Sequence, residues 1–293
     1  MKVLVIGSSG MLGSSIASLE IGGIQFINST RKGSNEKSGG TLGIDISNEK
    51  EVVCRIEEIS PDYVINSAAY TDVDGCERYP ETAYLSNAIG PKNIAKACQI
   101  ARSKMIQIST DYVFDGKRGM YTENDEENPI QEYGKSKLQG EIFAREILGT
   151  DLCILRTSVV FKRGAHNFVT WIKNSLEMGK EVSIVEDQWI CPTSTKYISD
   201  TVVEIMELGL DGIMNVSSSS RMSRFEVAGV VARELGLDEE LIRPIRMGDL
   251  QWSAKRPMDS SLICTKLGKI RKLATFGEML YSEFGNNLEG QGN

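Results

Sequence analysis

The first twenty residues constrain the fold most, because a short apolar strand runs directly into a turn that carries three glycines. Residues 2–6 have the apolar composition of a buried strand, and a helix is predicted over residues 11–20. The glycines of the turn are spaced G-x-x-G-x-x-G and are Gly7, Gly10 and Gly13. In such a unit the first glycine permits the tight turn, the second lets the backbone approach a phosphate, and the third lets helix and strand pack closely. We therefore predict a dinucleotide pyrophosphate site at the start of this helix.

The rest of the first half continues the alternation of short apolar strands and longer helices. Strands are predicted at residues 24–28, 41–44, 63–66, 105–109 and 152–156. Helices are predicted at residues 48–59, 81–102 and 135–148. Strands that alternate with helices in this way form parallel sheets covered on both faces. Because such crossovers are right-handed, we predict an α/β fold with a doubly wound parallel sheet.

The second half is less regular. Helices are predicted at residues 166–178, 196–208 and 223–235, and strands at residues 182–185 and 213–216. The polar, glycine-rich tail at residues 286–293 is expected to be frayed. A length of 293 residues fits two domains of roughly 150 residues each. We predict a dinucleotide-binding domain at residues 1–160 and a smaller mixed α/β substrate domain at residues 161–293, with elements at about residues 197–216 free to return to the first sheet.

Composition excludes several classes of function. The chain has 33 Lys and Arg against 40 Asp and Glu, a net charge of −7, so a broad surface for nucleic acid is not expected. His166 is its single histidine, and none of its six cysteines forms a Cys-x-x-Cys pair, so we expect free thiols and no metal. No apolar run approaches the ~20 residues that span a bilayer. We expect a cytoplasmic monomer or homodimer with neither a nucleic-acid nor a membrane partner.

The end of the predicted second strand distinguishes between the two nicotinamide dinucleotides. An NAD-specific site usually places an acidic residue there, which accepts a hydrogen bond from the ribose 2′-hydroxyl. Here the strand ends in Asn-Ser-Thr followed by Arg31 and Lys32, with two cations and no acid. These cations suit a 2′-phosphate, so NADPH is predicted as the cofactor, with NADH as the alternative. A solvated charged loop is the other interpretation of Arg31 and Lys32.

Tyr133 and Lys137 form the pattern Tyr-x-x-x-Lys, which places a phenol and an ammonium on one face of a helix. The ammonium is expected to lower the pKa of the phenol, which can then donate a proton to a carbonyl oxygen as hydride reaches the carbon. Thr110 closes a strand earlier in the chain, at the sheet edge where ligands bind, and its hydroxyl can polarise the same carbonyl. Because chance supplies about one Tyr-x-x-x-Lys or Tyr-x-x-x-Arg in such a chain, the prediction depends on the order of the three motifs.

The order of these motifs resembles that of the extended short-chain dehydrogenase/reductases. Their amino-acid sequences resemble still more closely those of the dTDP-4-dehydrorhamnose reductases. The matching stretches are residues 7–13, 66–74, 109–116, 133–141, 155–158, 187–188 with 192–193, and 256–257 with 266–267. The resemblance covers nearly the whole chain. It implies a Rossmann-type NADP-binding domain followed by a sugar-nucleotide domain. It also implies reduction of the C4 ketone of a nucleotide-linked 6-deoxyhexose, with dTDP-4-dehydro-L-rhamnose as the expected substrate.

The resemblance implies a role for each matching position. The catalytic residues would be Thr110, Tyr133 and Lys137. The cofactor-binding residues would be Gly7, Gly10, Met11, Leu12 and Gly13 at the pyrophosphate, Asp45 and Ile46 at the adenine, Ala68, Ala69 and Tyr70 near the nicotinamide, and Asn87, Tyr133 and Lys137 near its ribose. The substrate would be bound by Thr110, Asp111, Val159, Trp252 and Arg256. One or two of four cations are expected to hold the substrate diphosphate, and these are Arg156, Arg224, Lys255 and Arg256.

Two departures from the pattern of the dTDP-4-dehydrorhamnose reductases, and one difference from a neighbouring family, bear on the function. Val159 stands where members often have a tryptophan beside the sugar, which leaves the identity of the sugar open. Residues 14–15 and 194–196 lack the carboxylates through which some bacterial members bind magnesium, so no metal is expected. Thr110 is followed by Asp-Tyr rather than by the Asp-Glu pair of the 4,6-dehydratases, which favours reduction over loss of water.

Two alternatives stay open at this point. The chain could be a 4-ketoreductase for a different dTDP-deoxysugar, since Val159 does not specify rhamnose. It could also be a non-catalytic NADP-binding subunit resembling the β subunit of methionine adenosyltransferase. The second alternative gives no reason for the chain to keep Thr110, Tyr133 and Lys137 together.

Overall fold

The computed structural model describes residues 1–34 and 41–285, which contain thirteen β-strands and ten α-helices. The strands are β1 (Lys2–Ile6), β2 (Gln25–Thr30), β3 (Leu42–Gly43), β4 (Tyr63–Asn66), β5 (Lys104–Thr110), β6 (Leu152–Thr157), β7 (Val160–Phe161), β8 (Val182–Val185), β9 (Trp189–Ile190), β10 (Thr193–Ser194), β11 (Gly212–Asn215), β12 (Met222–Ser223) and β13 (Ile242–Ile245). The helices are α1 (Met11–Ala17), α2 (Glu49–Ile59), α3 (Val73–Arg78), α4 (Pro80–Tyr84), α5 (Gly90–Ala101), α6 (Glu132–Leu148), α7 (Phe168–Glu177), α8 (Thr195–Leu208), α9 (Arg224–Glu234) and α10 (Phe276–Phe284). The tail at residues 286–293, predicted to be frayed, lies outside the described residues. None of these helices combines the length and the apolar character needed to cross a membrane.

Seven parallel strands form the central sheet, in the order β3-β2-β1-β4-β5-β6-β11. The chain moves outward from β1 to β3 and then returns to place β4 on the other side of β1. In open α/β sheets, ligands bind beyond the carboxyl ends of the strands at such a switch point. The topology therefore places the expected site beyond the ends of β1 and β4.

Apolar side chains are buried on both faces of the sheet. In β1, Val3 and Val5 belong to a buried cluster with residues of α1 and α8. The alternate residues Leu4 and Ile6 belong to a second cluster with residues of α2, α5 and α6. Parallel strands that are apolar on both faces require a layer of helices on each side. The predicted doubly wound α/β sheet is therefore confirmed.

The second half of the chain contributes to the central sheet and also builds a smaller mixed layer beside it. Helix α8 packs on α1, and β11 pairs with β6. These two elements lie at about residues 197–216, the segment for which the sequence allows a return to the first sheet. The other elements form short sheets, in which β8 pairs in parallel with β13 and β9 pairs antiparallel with β12, together with α7, α9 and α10. Strand β11 joins both halves of the chain in one sheet, so the sheet itself does not mark a boundary between them. The domain boundary at residue 160 stays a prediction.

The helix predicted over residues 81–102 is divided by a π-helical turn at Leu85–Ile89, which separates α4 from α5. Pro91 has no backbone N–H, so the carbonyl of Asn87 lacks the partner that an α-helix would supply four residues later. Gly140 of α6 lies against this carbonyl, and a Cβ there would be 2.2 Å from the Asn87 oxygen. The irregular turn thus brings Asn87 next to α6.

Two other predicted helices differ at their ends because of capping. Helix α1 ends at Ala17 rather than at residue 20, and the N–H of Ser18 closes its last turn. Helix α7 begins two residues later than predicted, because Asn167 is its N-cap. The Asn167 side chain accepts a hydrogen bond from Thr170 N at 3.1 Å, and the Thr170 hydroxyl accepts one from Asn167 N, which forms a capping box.

A buried ion pair joins α6 to the two strands beside it. Arg156 of β6 donates from Nη2 to Oε2 of Glu141 at 2.6 Å, and neither side chain is exposed. Ser109 of β5 donates its hydroxyl to the same carboxylate, and Glu127 also contacts the guanidinium. Arg156 is therefore committed to the interior and is not one of the cations that can hold a substrate diphosphate.

Replacing Glu141 with Gln should destabilise the protein strongly, since it leaves the charge of Arg156 buried with only one partner. Breaking a buried ion pair costs about 3–5 kcal/mol, and the second carboxylate, Glu127, should keep the loss near the lower limit. Thermal and urea unfolding would measure the change. The control is Glu146→Gln, which removes an exposed carboxylate from the same helix and should leave stability unchanged. Equal stability of the two variants would contradict the role given to the pair.

Candidate active site

A cavity of about 400 Å³ opens at the carboxyl edge of the central sheet. Its walls come from the β1–α1 turn, the segments that follow β4, β5 and β6, and the start of α6. The predicted site residues that line it are Gly10, Met11, Leu12, Gly13, Ala69, Thr110, Asp111, Tyr133, Lys137 and Val159. The predicted residues outside this lining are Gly7, Arg31, Lys32, Asp45, Ile46, Ala68, Tyr70, Asn87, Trp252 and Arg256. Motifs from distant parts of the sequence thus meet at one cavity.

The β1–α1 turn forms a cradle of backbone N–H groups, which we call the glycine cradle (residues 7–13). Gly7 has a φ of +82°, and a Cβ there would lie 2.6 Å from the Ala68 nitrogen. A Cβ at Gly13 would lie 2.1 Å from the Gly7 oxygen, so only glycine allows the helix this close to the strand. Helix α1 begins after Gly10 with no side-chain cap and no acidic residue in its first turn. Its free N–H groups and positive helix end fit a dinucleotide pyrophosphate.

Arg31, Lys32 and Asp45 lie together beyond the ends of β2 and β3. The Nε and Nη2 atoms of Arg31 each approach Oδ2 of Asp45 at 3.1 Å. Burial raises the pKa of Asp45, but hydrogen bonds from Ser47 and Arg31 outweigh it and hold the pKa below its usual range. The Arg31 side chain is 77% exposed, so its guanidinium is accessible to a ribose 2′-phosphate. Ile46 follows Asp45 and packs against the start of α5.

The loop after β4 is fixed by the amide of Asn87. Ala69 lines the cavity, whereas Ala68 packs on the glycine cradle. The Asn87 side chain accepts a hydrogen bond from Tyr70 N at 2.8 Å and donates one to Tyr70 O at 3.0 Å. It also donates to Ser136 Oγ at 3.1 Å. Asn87 therefore ties the loop to α6 as a positioning residue, and its contact with the ribose stays a prediction.

Thr110, Tyr133 and Lys137 all face the cavity. The side chain of Gln131 caps α6, so Tyr133 lies in the first turn of the helix and Lys137 lies one turn later on the same face. Lys137 donates from Nζ to the carbonyl of Ile108 at 2.7 Å, which fixes the ammonium against the end of β5. The strand β5 ends at Thr110, so its hydroxyl reaches the same space. Thr110, Tyr133 and Lys137 thus form one cluster at the cavity. Tyr133 and Lys137 share a helix face, as their spacing predicts.

The protonation of this constellation differs from the expectation. Burial raises the pKa of Tyr133, and the hydroxyl of Thr110 beside it acts in the opposite direction without reversing the shift. The expected lowering of this pKa by Lys137 is wrong here, because burial dominates and the ammonium is directed to the Ile108 carbonyl. Burial also lowers the pKa of Lys137 to about 8, against the opposing charge of Glu141. A neutral phenol beside a cation is the state that can donate a proton to a carbonyl oxygen.

The wall that follows β5 and β6 is polar and strained. Thr110 Oγ1 donates to Oδ1 of Asp111 at 3.1 Å, and Ser260 Oγ donates to Oδ2 at 2.5 Å. Burial raises the pKa of Asp111 to about 6, although these hydroxyls and that of Ser158 oppose the shift. Val159 has a φ of +24°, a conformation that β-branched residues rarely adopt. Strain of this kind concentrates at ligand sites.

Trp252 and Arg256 lie outside the lining but near it. Arg256 Nη2 is 2.9 Å from Asp74 Oδ2, and Ala254 N donates to Asp74 Oδ1 at 2.8 Å. The guanidinium of Arg256 also stacks on the Trp252 ring, 5.2 Å from its centroid. These contacts tie the loop at residues 252–256 to α3, whose first residue, Val73, lines the cavity. Contact of Trp252 or Arg256 with the substrate stays a prediction.

Eight further residues line the cavity and were not predicted as site residues: Ser67, Thr71, Val73, Ile108, Ser109, Tyr112, Thr157 and Val160. Each lies within four positions of a predicted one, at or just after the carboxyl end of a strand. That position in a doubly wound sheet is the signal that could have found them. The hydroxyl oxygen of Thr157 is buried and has no partner among the described residues, which leaves it available to a ligand.

In the described part of the chain, no group of three or more His, Cys, Asp or Glu side chains lies close enough together to hold a metal ion. The six cysteines are free thiols.

Comparison with known proteins agrees with this geometry. Residues 1–281 match the family described as RmlD substrate binding domain. The chain is 36% identical over 269 residues to the probable low-salt glycan biosynthesis reductase Agl14 of Haloferax volcanii, and the match covers 89% of each chain.

Solved structures extend the likeness to three dimensions. A dTDP-4-dehydrorhamnose reductase from Clostridium acetobutylicum matches with a TM-score of 0.89 and 32% identity, over 98% of this chain and 100% of that one. A second, from Bacillus anthracis in complex with NADP, matches with a TM-score of 0.87 and 29% identity, over 97% of this chain and 99% of that one. These matches confirm the resemblance inferred from the motifs. Because the family match spans nearly the whole sequence, the chain belongs to the RmlD substrate-binding domain family.

Proposed function

We propose that the protein is an NADPH-dependent reductase that acts on the C4 ketone of a nucleotide-linked 6-deoxyhexose and converts dTDP-4-dehydro-L-rhamnose into dTDP-L-rhamnose. The observation that carries the proposal is the meeting of Thr110, Tyr133 and Lys137 in one cavity beside the glycine cradle. The reductase names of the relatives support this chemistry. The NADP bound to the Bacillus anthracis protein supports the cofactor.

The chemistry of each residue follows from its surroundings. Bound NADPH would supply the hydride that reaches the carbonyl carbon. Tyr133 keeps its proton at neutral pH because burial raises its pKa, and it gives that proton to the carbonyl oxygen as charge develops there. The hydroxyl of Thr110, which donates to Asp111 in the free protein, would turn to donate to the same substrate oxygen, and the ammonium of Lys137 holds the nicotinamide ribose. The ketone, NADPH and one proton become a secondary alcohol and NADP⁺.

The identity of the sugar depends on the wall around Val159. A valine offers less stacking area than an aromatic side chain, and here its backbone is also strained. A reductase for a different dTDP-deoxysugar is therefore the second candidate. The non-catalytic alternative has less support, because the structure keeps the three catalytic groups in a common cavity.

One assay tests the function directly. The protein is mixed with dTDP-4-dehydro-L-rhamnose and NADPH, the loss of nicotinamide absorbance is followed, and the sugar formed is identified by NMR. Turnover to dTDP-L-rhamnose is expected. Turnover to another sugar would favour the second candidate. Absence of turnover on all dTDP-4-ketosugars, together with a stoichiometric protein partner, would favour the non-catalytic alternative.

Tyr133→Phe should lower kcat by roughly 100- to 10,000-fold, the usual contribution of a positioned general acid. The affinity for NADPH, measured by fluorescence titration, should change little, because the substitution removes only the hydroxyl. Tyr84→Phe, which removes an exposed phenol elsewhere, is the control and should keep the full rate. A Tyr133→Phe variant with undiminished kcat would rule out this residue as the proton donor.

The pH dependence of NADPH capture should report on Lys137. The pKa of Lys137 is lowered to about 8, so the ammonium is lost as the pH rises through that value. We expect kcat/KM for NADPH, which reflects groups of the free enzyme, to fall above about pH 8. In Lys137→Arg the side chain stays charged, so this decline should disappear even if the absolute rate is lower. A wild-type profile that stays level to pH 9.5 would contradict the assignment.

The choice of dinucleotide should depend on Arg31 and Lys32. The double variant Arg31→Gln/Lys32→Gln should raise the KM for NADPH by about 10- to 100-fold, the usual effect of losing charge-assisted hydrogen bonds to a phosphate. The KM for NADH should change little, since NADH lacks the 2′-phosphate. Arg55→Gln, an exposed arginine of α2, serves as the control. A wild-type enzyme that strongly prefers NADH would show that these cations do not select the cofactor.

A further inference from the structure

Arg224, the first residue of α9, is a half-buried cation without a carboxylate partner among the described residues. The other arginines of this region are paired: Arg221 lies 2.5 Å from Asp259, and Arg256 lies 2.9 Å from Asp74. The guanidinium of Arg224 instead donates from Nε to the amide oxygen of a glutamine. Because an unpaired charge is costly to bury, a half-buried arginine without a carboxylate partner indicates an anion that the described part of the chain does not supply.

Three contacts with two residues hold Arg224 in place. Its Nε donates to Gln188 Oε1 at 2.5 Å, and its backbone N–H donates to Gln188 O at 3.0 Å. The guanidinium carbon lies 4.7 Å from the centroid of the Phe168 ring, at the start of α7. Gln188 in turn donates from Nε2 to Pro257 O at 3.2 Å. The guanidinium is therefore fixed before any ligand arrives, and only part of its donor set is used.

Tyr112 connects this arginine to the cavity. Tyr112 lines the cavity wall, and its ring meets that of Tyr133 edge-on, with 6.1 Å between the centroids. Burial raises the pKa of the Tyr112 phenol, whereas the positive charges of Arg224 and Arg256 and a hydrogen bond with Gln188 lower it. Gln188 is thus the shared partner that joins Arg224, which does not itself line the cavity, to Tyr112, which does. The glycine cradle, which fits the cofactor pyrophosphate, is built from a different segment.

We infer that Arg224 binds the diphosphate of the nucleotide-linked substrate, with the Tyr112 phenol beside it as a second donor. The inference rests on the proposed function and adds to it the residue that recognises the nucleotide part of the substrate. The free N–H groups of a guanidinium match a pair of phosphate oxygens. Arg256 adds charge to the same region, but Asp74 neutralises it. In a chain of net charge −7, this local cation supplies the attraction that the overall charge does not.

The test measures binding of dTDP, used as the probe, to protein saturated with NADP⁺ by isothermal titration calorimetry. Arg224→Gln should weaken dTDP binding by about 10- to 100-fold, the usual effect of losing charge-assisted hydrogen bonds. Arg224→Lys should fall between Gln and wild type. The matched control is Arg233→Gln on the same helix, where the arginine is exposed and paired with Glu239. The control should bind dTDP like wild type, and all variants should bind NADPH equally.

Equal affinity of Arg224→Gln and wild type for dTDP would overturn the inference. A variant that loses affinity for NADPH but not for dTDP would also overturn it and would assign Arg224 to the cofactor. Failure of the proposed function looks different, because wild-type protein would then neither reduce a nucleotide sugar nor bind dTDP.

A second measurement needs no variant and therefore does not depend on the variants folding. Phenylglyoxal modifies accessible arginines, and mass spectrometry locates the product. In the wild-type protein, dTDP should protect Arg224 from modification, whereas NADP⁺ should not. Equal modification of Arg224 with and without saturating dTDP would overturn the inference.

Discussion

The geometry of the candidate active site depends on the buried contacts of the Glu141 carboxylate. It lies on the same helix as Tyr133 and Lys137, at the next turn of the same face, and it receives Arg156 from β6 and Ser109 from β5. These contacts fix the rotation of α6 relative to the sheet. Because both charges are fully buried, neither can leave without a large cost, and the helix cannot slide along the strands. The phenol of Tyr133 and the ammonium of Lys137, for which catalytic roles are proposed, are thus held in register with the end of β5.

Two anionic ligands are proposed for an acidic protein, and the structure separates the means of binding them. The glycine cradle offers backbone N–H groups and a helix end, which need no side-chain charge. On the substrate side, the proposed contact is the guanidinium of Arg224, which the second half of the chain carries. Lys137 is a buried cation that lines the same cavity as Tyr133. Burial lowers the pKa of Lys137 and raises the pKa of Tyr133. In this proposal, the local placement of donors and cations, and not the net charge, determines which anions are bound.

Much of this arrangement could be predicted from the sequence, because its signals are local. The steric need for glycine at Gly7 and Gly13 and the Tyr133–Lys137 spacing each follow from a few neighbouring residues. The pairing of Arg156 with Glu141 could not be predicted, since it depends on how a strand and a helix meet in space. The raised pKa of Tyr133 was likewise missed, because burial is set by the packing of the whole cavity. The π-helical turn before Pro91 was also missed, since a proline usually signals a helix boundary and not a change in helix type.

Part of the cavity wall is completed from the far end of the chain, where Ser260 reaches Asp111 and Arg256 reaches Asp74. This has a consequence during synthesis. A chain that emerges from the ribosome in order can form the six sheet strands β1 to β6 and the glycine cradle while the residues that follow β6 are still missing. Its affinity for a dinucleotide can therefore precede its affinity for a sugar nucleotide. The cellular pool of cofactor, rather than of substrate, is then the ligand able to stabilise the partly made protein by mass action.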